Sequence, residues 1–214
     1  MAELQASRDR EAVLRGELQH RVRNTLAIVR SIFSRTVEAG GSLEHVADHF
    51  RGRLEAIARH QFFPSAEPHA TTDFEQLVRD ELFAFRFGDD DRIEVEGPET
   101  RLALDAARLL GLAVHELVTN SLKFGALSIE SGRARIAATW SVSKRGLRFE
   151  WSESGVPALV AKPARRGFGR EFIEQALPYQ LDATTLFELR PGGLFCEIEF
   201  PLISSNENKP ISRI

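Results

Sequence analysis

The first 62 residues contain no proline, and the glycine pair Gly40-Gly41 divides them into two stretches. On both sides of that pair, apolar side chains recur every three to four residues, which predicts two amphipathic helices. Ser42 is placed to cap the second helix, so the sequence predicts a helical hairpin over residues 7–62. The apolar positions are Leu14, Leu18, Val22, Leu26, Val29 and Phe33 in the first helix and Leu43, Val46, Phe50, Leu54 and Ile57 in the second.

Two helices alone bury little apolar surface, so this stripe needs a partner. The sequence allows two partners. A second copy of the chain would complete a four-helix bundle, whereas docking on the rest of the same chain would leave a monomer. We predict a homodimer through the hairpin, with a monomer as the alternative.

After the hairpin, Pro64 and Pro68 predict a linker over residues 64–72. Helical and strand patterns then segregate rather than strictly alternate, which predicts an α+β domain with a mixed sheet and its helices on one face. The predicted helices are 73–85, 106–124 and 168–177, and the predicted strands are 92–96, 101–104, 133–142, 147–152, 183–189 and 194–200. We therefore divide the chain into a hairpin domain (1–63), a linker (64–72), an α+β domain (73–202) and a flexible tail (203–214).

Charge and composition exclude several classes of protein. Twenty-eight basic and 31 acidic residues give a net charge of -3, which argues against a dedicated nucleic-acid binder. The longest apolar run, Leu109 to Val114, is far shorter than the roughly 20 residues of a membrane span. Because Cys196 is the single cysteine and the first residues lack the pattern of a secretory signal, we expect a cytoplasmic protein without disulfides.

His20 lies opposite the apolar stripe of the first predicted helix and should face solvent. Arg21 and Arg23 flank it. A solvent-facing imidazole with basic neighbours can act as a nucleophile that accepts a phosphoryl group. Its position alone is more typical of an ordinary surface histidine.

The predicted helix 106–124 carries a polar face. Glu116, Thr119, Asn120 and Lys123 share that face by their spacing of three and four residues. An amide oxygen, a carboxylate and an ammonium group together suit a magnesium-triphosphate site. The alternative is a solvated polar stripe. His45 and His49 also have the spacing of metal ligands, but without a third ligand at motif spacing we interpret them as surface residues.

Three segments resemble those of the HWE family of sensor histidine kinases. Residues 17–26, Glu-Leu-Gln-His-Arg-Val-Arg-Asn-Thr-Leu, are similar to the family's phosphoacceptor segment around His20. Residues 115–127 resemble its N box, and Trp151-Ser152-Glu153 matches its Trp-x-Glu motif. The resemblance covers residues 10–202. It implies a catalytic domain that is an α/β sandwich of the Bergerat type, which binds ATP.

The resemblance also implies roles for individual residues. Asn120 would coordinate magnesium, Glu116 would act near the transferred phosphate, and Lys123 would contact phosphate. Glu153 would hydrogen-bond the adenine amino group, while Trp151 would pack in the core.

Two glycine-containing segments complete the implied nucleotide site. The family usually reads Glu-x-Gly-Gly-Pro, whereas this chain keeps Gly155 and has Val156 in place of the second glycine. A short basic segment, residues 156–166 with Lys162, Arg165 and Arg166, is implied as a lid over the phosphates. It leads into Gly167-Phe168-Gly169, whose backbone at a helix start can meet anionic oxygens.

The implied activity is that of an ATP-dependent and magnesium-dependent protein-histidine kinase. It would phosphorylate His20 and pass the phosphoryl group to an aspartate of a response-regulator receiver domain. Fewer than 20 residues precede His20, so we expect either a separate sensor protein that supplies the signal or an unregulated protein. Three alternatives remain: a histidine phosphotransferase with a degenerate ATP site, which Val156 favours; an ATP-hydrolysing relative that does not use His20; and a non-catalytic regulatory binding module.

Overall fold

A computed structural model describes residues 15–16, 19, 22–23, 26–38, 40–59, 71–88, 90–130, 132–157 and 167–202. The chain divides into two compact units, residues 1–54 and 55–214. The predicted flexible tail and the prolines of the predicted linker lie outside the described residues.

The first unit contains helix α1 (residues 26–38) and most of helix α2 (Leu43–Arg59). The turn between them uses Gly40 and Gly41 at φ values of 75° and 122°, which residues with side chains rarely adopt. Phe33 and Phe50 meet edge to face across the hairpin, with ring centroids 5.4 Å apart. The predicted hairpin turn is therefore confirmed.

A polar contact also crosses this hairpin. Arg53 is buried, and its Nη1 donates a 2.7 Å hydrogen bond to Thr36 Oγ1. Thr36 in turn donates to the carbonyl of Ile32. Val22, Leu26 and Phe33 of the predicted apolar stripe nevertheless remain between 49% and 61% exposed. This part of the predicted apolar stripe is thus left open to solvent within the chain.

The second unit begins with the last five residues of α2 and contains the α+β fold. Its helices are α3 (Phe74–Ala84), α4 (Leu104–Phe124), the short α5 (Phe168–Glu171) and α6 (Leu177–Leu181). Its strands are β1 (Thr71–Asp73), β2 (Ile93–Glu96), β3 (Arg101–Ala103), β4 (Arg135–Ser143), β5 (Gly146–Ser154), β6 (Thr184–Arg190) and β7 (Gly193–Phe200). A 3₁₀ turn, Ala126–Ser128, follows α4.

Five strands form the predicted mixed sheet, and their order is β2-β4-β5-β7-β6. The pair β2 and β4 is parallel, whereas the other neighbours are antiparallel. In β4, β5 and β7, buried and more exposed residues alternate, so one face of the sheet carries the core. Cys196 is fully buried on that face, which confirms its predicted role as a small core residue.

The helices supply the other half of the core. More than half of α4 is buried, and Phe74 of α3 meets Trp140 and Phe149 of the sheet edge to face. Asp73 caps α3 by accepting a 2.9 Å hydrogen bond from the backbone N–H of Gln76. Because most of α4 is packed in the core, its polar residues lie on a rigid helix.

Two local features differ from the sequence prediction. Residues 71–73 form strand β1, which pairs antiparallel with β3, whereas the sequence predicts that residues 71–72 belong to the linker. The predicted helix 168–177 is interrupted by a π-helical turn, Phe172–Ala176, before α6. Pro178 explains this turn, because it has no N–H to donate to the carbonyl four residues earlier. Within the described ranges, no helix combines the length and the hydropathy that crossing a membrane requires.

Candidate functional site

Helix α4 presents the predicted polar face as a gradient of exposure. Glu116 is buried at 4% exposure, Thr119 and Asn120 are half-buried, and Lys123 is exposed. The carboxylate therefore lies in the interior of the second unit, and the ammonium group lies at the C-terminal end of the helix, where the helix dipole favours a cation. A ligand along this face would meet an amide at its middle and a positive charge at the surface.

Thr119 adds an observation that the sequence does not reveal. Its Oγ1 is buried and has no hydrogen-bond partner in the described structure. A buried hydroxyl without a partner costs roughly 1–3 kcal/mol, so natural proteins rarely leave one unless water or a ligand satisfies it. The hydroxyl group at the centre of the polar face of α4 therefore lacks a hydrogen-bond partner.

The glycine motif at the start of α5 lies against Glu116. A Cβ atom added to Gly169 would be 2.7 Å from Glu116 Oε2 and 2.8 Å from Glu116 Cβ. Only a glycine allows this approach. Gly167 has open space around the same position. The structure therefore brings together two segments that lie about 50 residues apart in the sequence.

Phe168 has a different environment from its two neighbours. Its ring is 5% exposed and stacks on Phe172, with centroids 5.8 Å apart. The side chain is therefore part of the core. Phe168 can contact a ligand through its backbone.

Glu153, at the end of β5, is buried at 6% exposure. Its Oε1 accepts a 3.2 Å hydrogen bond from Trp151 Nε1, and its Oε2 accepts a 2.9 Å hydrogen bond from the backbone N–H of Ala126. Burial raises the pKa of the Glu153 carboxyl above its usual value of 4.5, although hydrogen bonds from Ala126, Trp151 and Ser121 oppose the shift. A carboxylate has about four acceptor positions, so these three donors leave room for one more.

Gly125 makes this arrangement possible. A Cβ atom on Gly125 would overlap Glu153 Oε2, so any other residue would push the carboxylate away. Ser121 helps to shape the same turn, because its Oγ accepts a 3.1 Å hydrogen bond from the backbone N–H of Leu127. The end of the polar helix and the end of β5 are thus joined around one buried carboxylate.

The loop after β5 shows how Val156 is accommodated. Gly155 has φ of 74°, and a Cβ atom there would be 2.6 Å from the carbonyl oxygen of Arg133. Val156 is buried and donates a 2.9 Å backbone hydrogen bond to Gly192. In the described part of the chain, Arg86 and Asp182 are the non-glycine residues with positive φ, so Val156 has an ordinary backbone conformation.

Several predicted site residues lie outside the described residues. They are the nucleophile His20 with its neighbour Arg21, and the lid residues Lys162, Arg165 and Arg166. Their predicted roles stay predictions. No group of three or more metal-ligating His, Cys, Asp or Glu side chains occurs within the described ranges.

Sequence reasoning missed Phe124 and Ser121. Phe124 is 65% exposed and follows Asn120 by four residues, so it continues the polar face of α4 with an aromatic ring. An exposed ring at this position can stack on a planar base. The signal that could have revealed it was its spacing from Asn120. Ser121 had no such signal, because its partners come from the turn after α4 and from β5.

Comparisons with known proteins identify relatives. Residues 17–99 match the HWE histidine kinase family. The chain is 31% identical over 196 residues to a blue-light-activated histidine kinase of Brucella anthropi. The matched region covers 90% of this chain and 39% of that protein. The blue-light-activated histidine kinase of Brucella ovis is also 31% identical over 196 residues, with 90% and 40% covered. The chain thus spans about two fifths of the length of these curated relatives.

A solved structure shares the fold. The histidine kinase domain from the Erythrobacter litoralis EL346 blue-light activated histidine kinase superposes with a TM-score of 0.55 at 19% sequence identity. The match covers 81% of this chain and 96% of that domain. At this identity the likeness establishes the fold.

Proposed function

Because residues 17–99 match the HWE histidine kinase family, we propose that this chain is an ATP-dependent protein-histidine kinase that phosphorylates His20. The contact between Gly169 and Glu116 is the observation that carries this proposal. It supports a single site built from the N box and the glycine motif. Residues 1–63 would be the dimerisation and phosphotransfer domain, and residues 73–202 the ATP-binding domain.

The polar face of α4 fits a magnesium-nucleotide ligand. The unpartnered Thr119 Oγ1 lies on the same face as Asn120, whose amide oxygen is a suitable ligand for a hard cation. In the proposed site Asn120 holds magnesium and Lys123 contacts phosphate. Bound magnesium would supply positive charge that offsets the charge of the triphosphate.

The remaining predicted residues surround the nucleotide. Glu153 would accept a hydrogen bond from the adenine amino group in its remaining acceptor position. Gly155 would let the loop after β5 approach the nucleotide. The backbone of Gly167, Phe168 and Gly169 would meet phosphate oxygens, and Arg166 would contribute charge from the lid.

In the proposed reaction, a neutral nitrogen of His20 attacks the terminal phosphorus of ATP in line. A bond from this nitrogen to phosphorus forms, the bond from phosphorus to the β,γ-bridging oxygen breaks, and ADP leaves. The proton released from the imidazole passes to Glu116 or to solvent. His20 would then transfer its phosphoryl group to an aspartate of a response-regulator receiver domain.

Incubation with γ-labelled ATP and magnesium tests the proposal. We expect acid-labile label on the wild-type chain and none on His20→Gln or Asn120→Ala. Label that persists in His20→Gln would contradict the assignment of the nucleophile. ATP turnover that persists in His20→Ala would instead indicate an ATP-hydrolysing relative.

The same preparation distinguishes a kinase from a phosphotransferase and from a binding module. A histidine phosphotransferase with a degenerate ATP site would take no label from ATP but would accept it from a phosphorylated receiver domain. A non-catalytic binding module would take label from neither. The ordinary backbone of Val156 supports the kinase over the degenerate site.

The exposed apolar face of α1 supports the proposed homodimer. Leu26 is 61% exposed on that face, whereas Leu43 is 85% exposed at the start of α2. In sedimentation experiments we expect Leu26→Glu to shift the protein towards monomer and the matched Leu43→Glu to leave its mass unchanged. A monomeric wild-type protein would contradict dimerisation.

A cytoplasmic location stays a prediction from the sequence.

A further inference from the structure

A buried charged cluster lies beside the candidate site, within the second unit. Glu81 of α3 is fully buried. Arg59, in the last turn of α2, bonds it through two nitrogens of its guanidinium group. Arg59 Nε donates to Glu81 Oε1 at 2.9 Å, and Arg59 Nη2 donates to Glu81 Oε2 at 2.5 Å. Two parallel hydrogen bonds fix the direction of the pair as well as its distance.

His115 of α4 joins this pair. It is 6% exposed, and its Nδ1 lies 3.2 Å from Glu81 Oε2 and 3.4 Å from Arg59 Nη2. Because an ionised carboxylate only accepts hydrogen bonds, the Glu81 contact requires the proton on Nδ1. Phe85 packs beside the imidazole, with ring centroids 5.1 Å apart. The position of the His115 ring is therefore set by polar contacts and by packing.

The next residue along α4 is Glu116. Adjacent residues of a helix point about 100° apart, so His115 and Glu116 face different neighbours. His115 faces Glu81, whereas Glu116 faces Gly169 at the start of α5. A rotation of α4 about its axis that moves Glu116 away from Gly169 must also move His115 away from Glu81.

Stability alone is a weak reason for this cluster. Replacing a buried ion pair with well-packed apolar residues is often neutral or stabilising, because the charges lose their hydration when they are buried. What directional polar contacts add is a defined orientation. Here they connect α2, α3 and α4 immediately beside the carboxylate that the proposed reaction uses.

We propose that Arg59, Glu81 and His115 are positioning residues that fix the rotation of α4 and thereby hold Glu116 in place for phosphoryl transfer. This inference rests on the proposed kinase function. The three residues act through Glu116 and do not themselves contact the nucleotide.

The test compares variants of the full chain at saturating magnesium-ATP. We expect His115→Leu to lower the rate of His20 labelling by about tenfold to a hundredfold, since small misplacements of a reacting group have effects of this size. The dissociation constant for ATP should change by less than about threefold, because nucleotide contacts are retained. His115→Asn keeps a donor near the Nδ1 position and should restore much of the rate.

A double-mutant cycle separates positioning from general structural damage. If His115 acts through Glu116, His115→Leu should slow the Glu116→Gln variant little further. Additive losses in the cycle would overturn the inference, as would equal losses of rate and ATP affinity. Asp90→Asn is the matched control, because Arg92 holds Asp90 through a similar pair of hydrogen bonds that includes no residue of α4. Its labelling rate should stay at the wild-type level.

Amide hydrogen exchange of residues 115–120 gives a readout that needs no activity. We expect faster exchange there in Glu81→Gln and in His115→Leu, and wild-type exchange in Asp90→Asn. Wild-type exchange in all three variants would overturn the inference. If the wild-type chain takes no label from ATP, the kinase proposal fails, and the exchange experiment still decides whether the cluster positions α4.

Discussion

The carboxylate of Glu153 accepts a 2.9 Å hydrogen bond from the backbone N–H of Ala126, 27 residues earlier in the chain. Through this bond, the end of β5 is fixed to the 3₁₀ turn that follows α4. A hydrogen bond therefore joins Glu153, in the segment that matches the Trp-x-Glu motif, to the end of the segment that resembles the N box. A change at Glu153 should affect both the stability of the second unit and the shape of the proposed nucleotide site.

We predict that Glu153→Gln is destabilising. The amide has nearly the same shape, but its NH₂ group would face a donor, either Trp151 Nε1–H or the backbone N–H of Ala126. An unsatisfied buried donor should lower the free energy of unfolding by about 1–3 kcal/mol. Urea unfolding followed by the fluorescence of Trp140 and Trp151 measures this loss, and ATP calorimetry should show weaker binding.

Glu150→Gln is the matched control for that variant. Glu150 is on the same strand but is half-buried, and it points to the opposite face of the sheet. We expect its unfolding and its ATP affinity to remain close to the wild-type values. A wild-type free energy of unfolding for Glu153→Gln would contradict the bonding described for the carboxylate.

The raised pKa of Glu153 predicts a pH dependence of stability. Its pKa is higher in the folded chain than its usual value of 4.5, chiefly because of burial, so the folded state holds the proton more tightly. The free energy of unfolding should therefore fall as pH rises from about that usual value through the folded pKa. Below this window both states are protonated, and the penalty is absent.

Glu153→Gln removes this titration. The difference in unfolding free energy between wild type and variant should become smaller as pH rises through the window, because ionisation costs stability only in the wild type. Urea titrations at a series of pH values measure this difference. A difference that grows with pH would show that the hydrogen bonds to the carboxylate outweigh its burial.

The local patterns of the sequence predicted much of this fold, and long-range contacts account for most of what was missed. The polar face of α4 was predictable because Glu116, Asn120 and Lys123 follow helical spacing. Strand β1 was not, since its three residues have no apolar periodicity and depend on pairing with β3. The contact of Glu81 with Arg59 was equally hidden, because it joins two helices whose sequences carry no signal of it.

We predict that Val156→Gly, which restores the usual family residue, does not improve ATP binding. Val156 already has an ordinary backbone conformation, and its side chain is buried. Removing that side chain should lower the free energy of unfolding by about 2 kcal/mol, because buried apolar surface is lost. Calorimetry with ATP and urea unfolding test the two parts. Tighter ATP binding in the variant would mean that valine distorts the nucleotide loop.

The glycine motif before α5 offers the sharpest comparison, because its two glycines have different surroundings. In Gly169→Ala the new methyl group would overlap Glu116 Cβ, which belongs to the rigid part of α4 and cannot rotate away. Either α5 or Glu116 must then shift. We expect unfolding to become easier by about 1–3 kcal/mol through overpacking. The labelling of His20 should slow by about tenfold to a hundredfold through the displacement of Glu116.

Gly167→Ala is the control for this prediction. Gly167 has φ of -75°, which alanine adopts readily, and its added methyl group would meet open space. We therefore expect stability within about 0.5 kcal/mol of wild type, as is usual for substitutions without a contact. Single-turnover labelling and urea unfolding of both variants provide the measurement. If His20 were labelled as fast in Gly169→Ala as in Gly167→Ala, the proposed reaction would not require close packing of the glycine motif against Glu116.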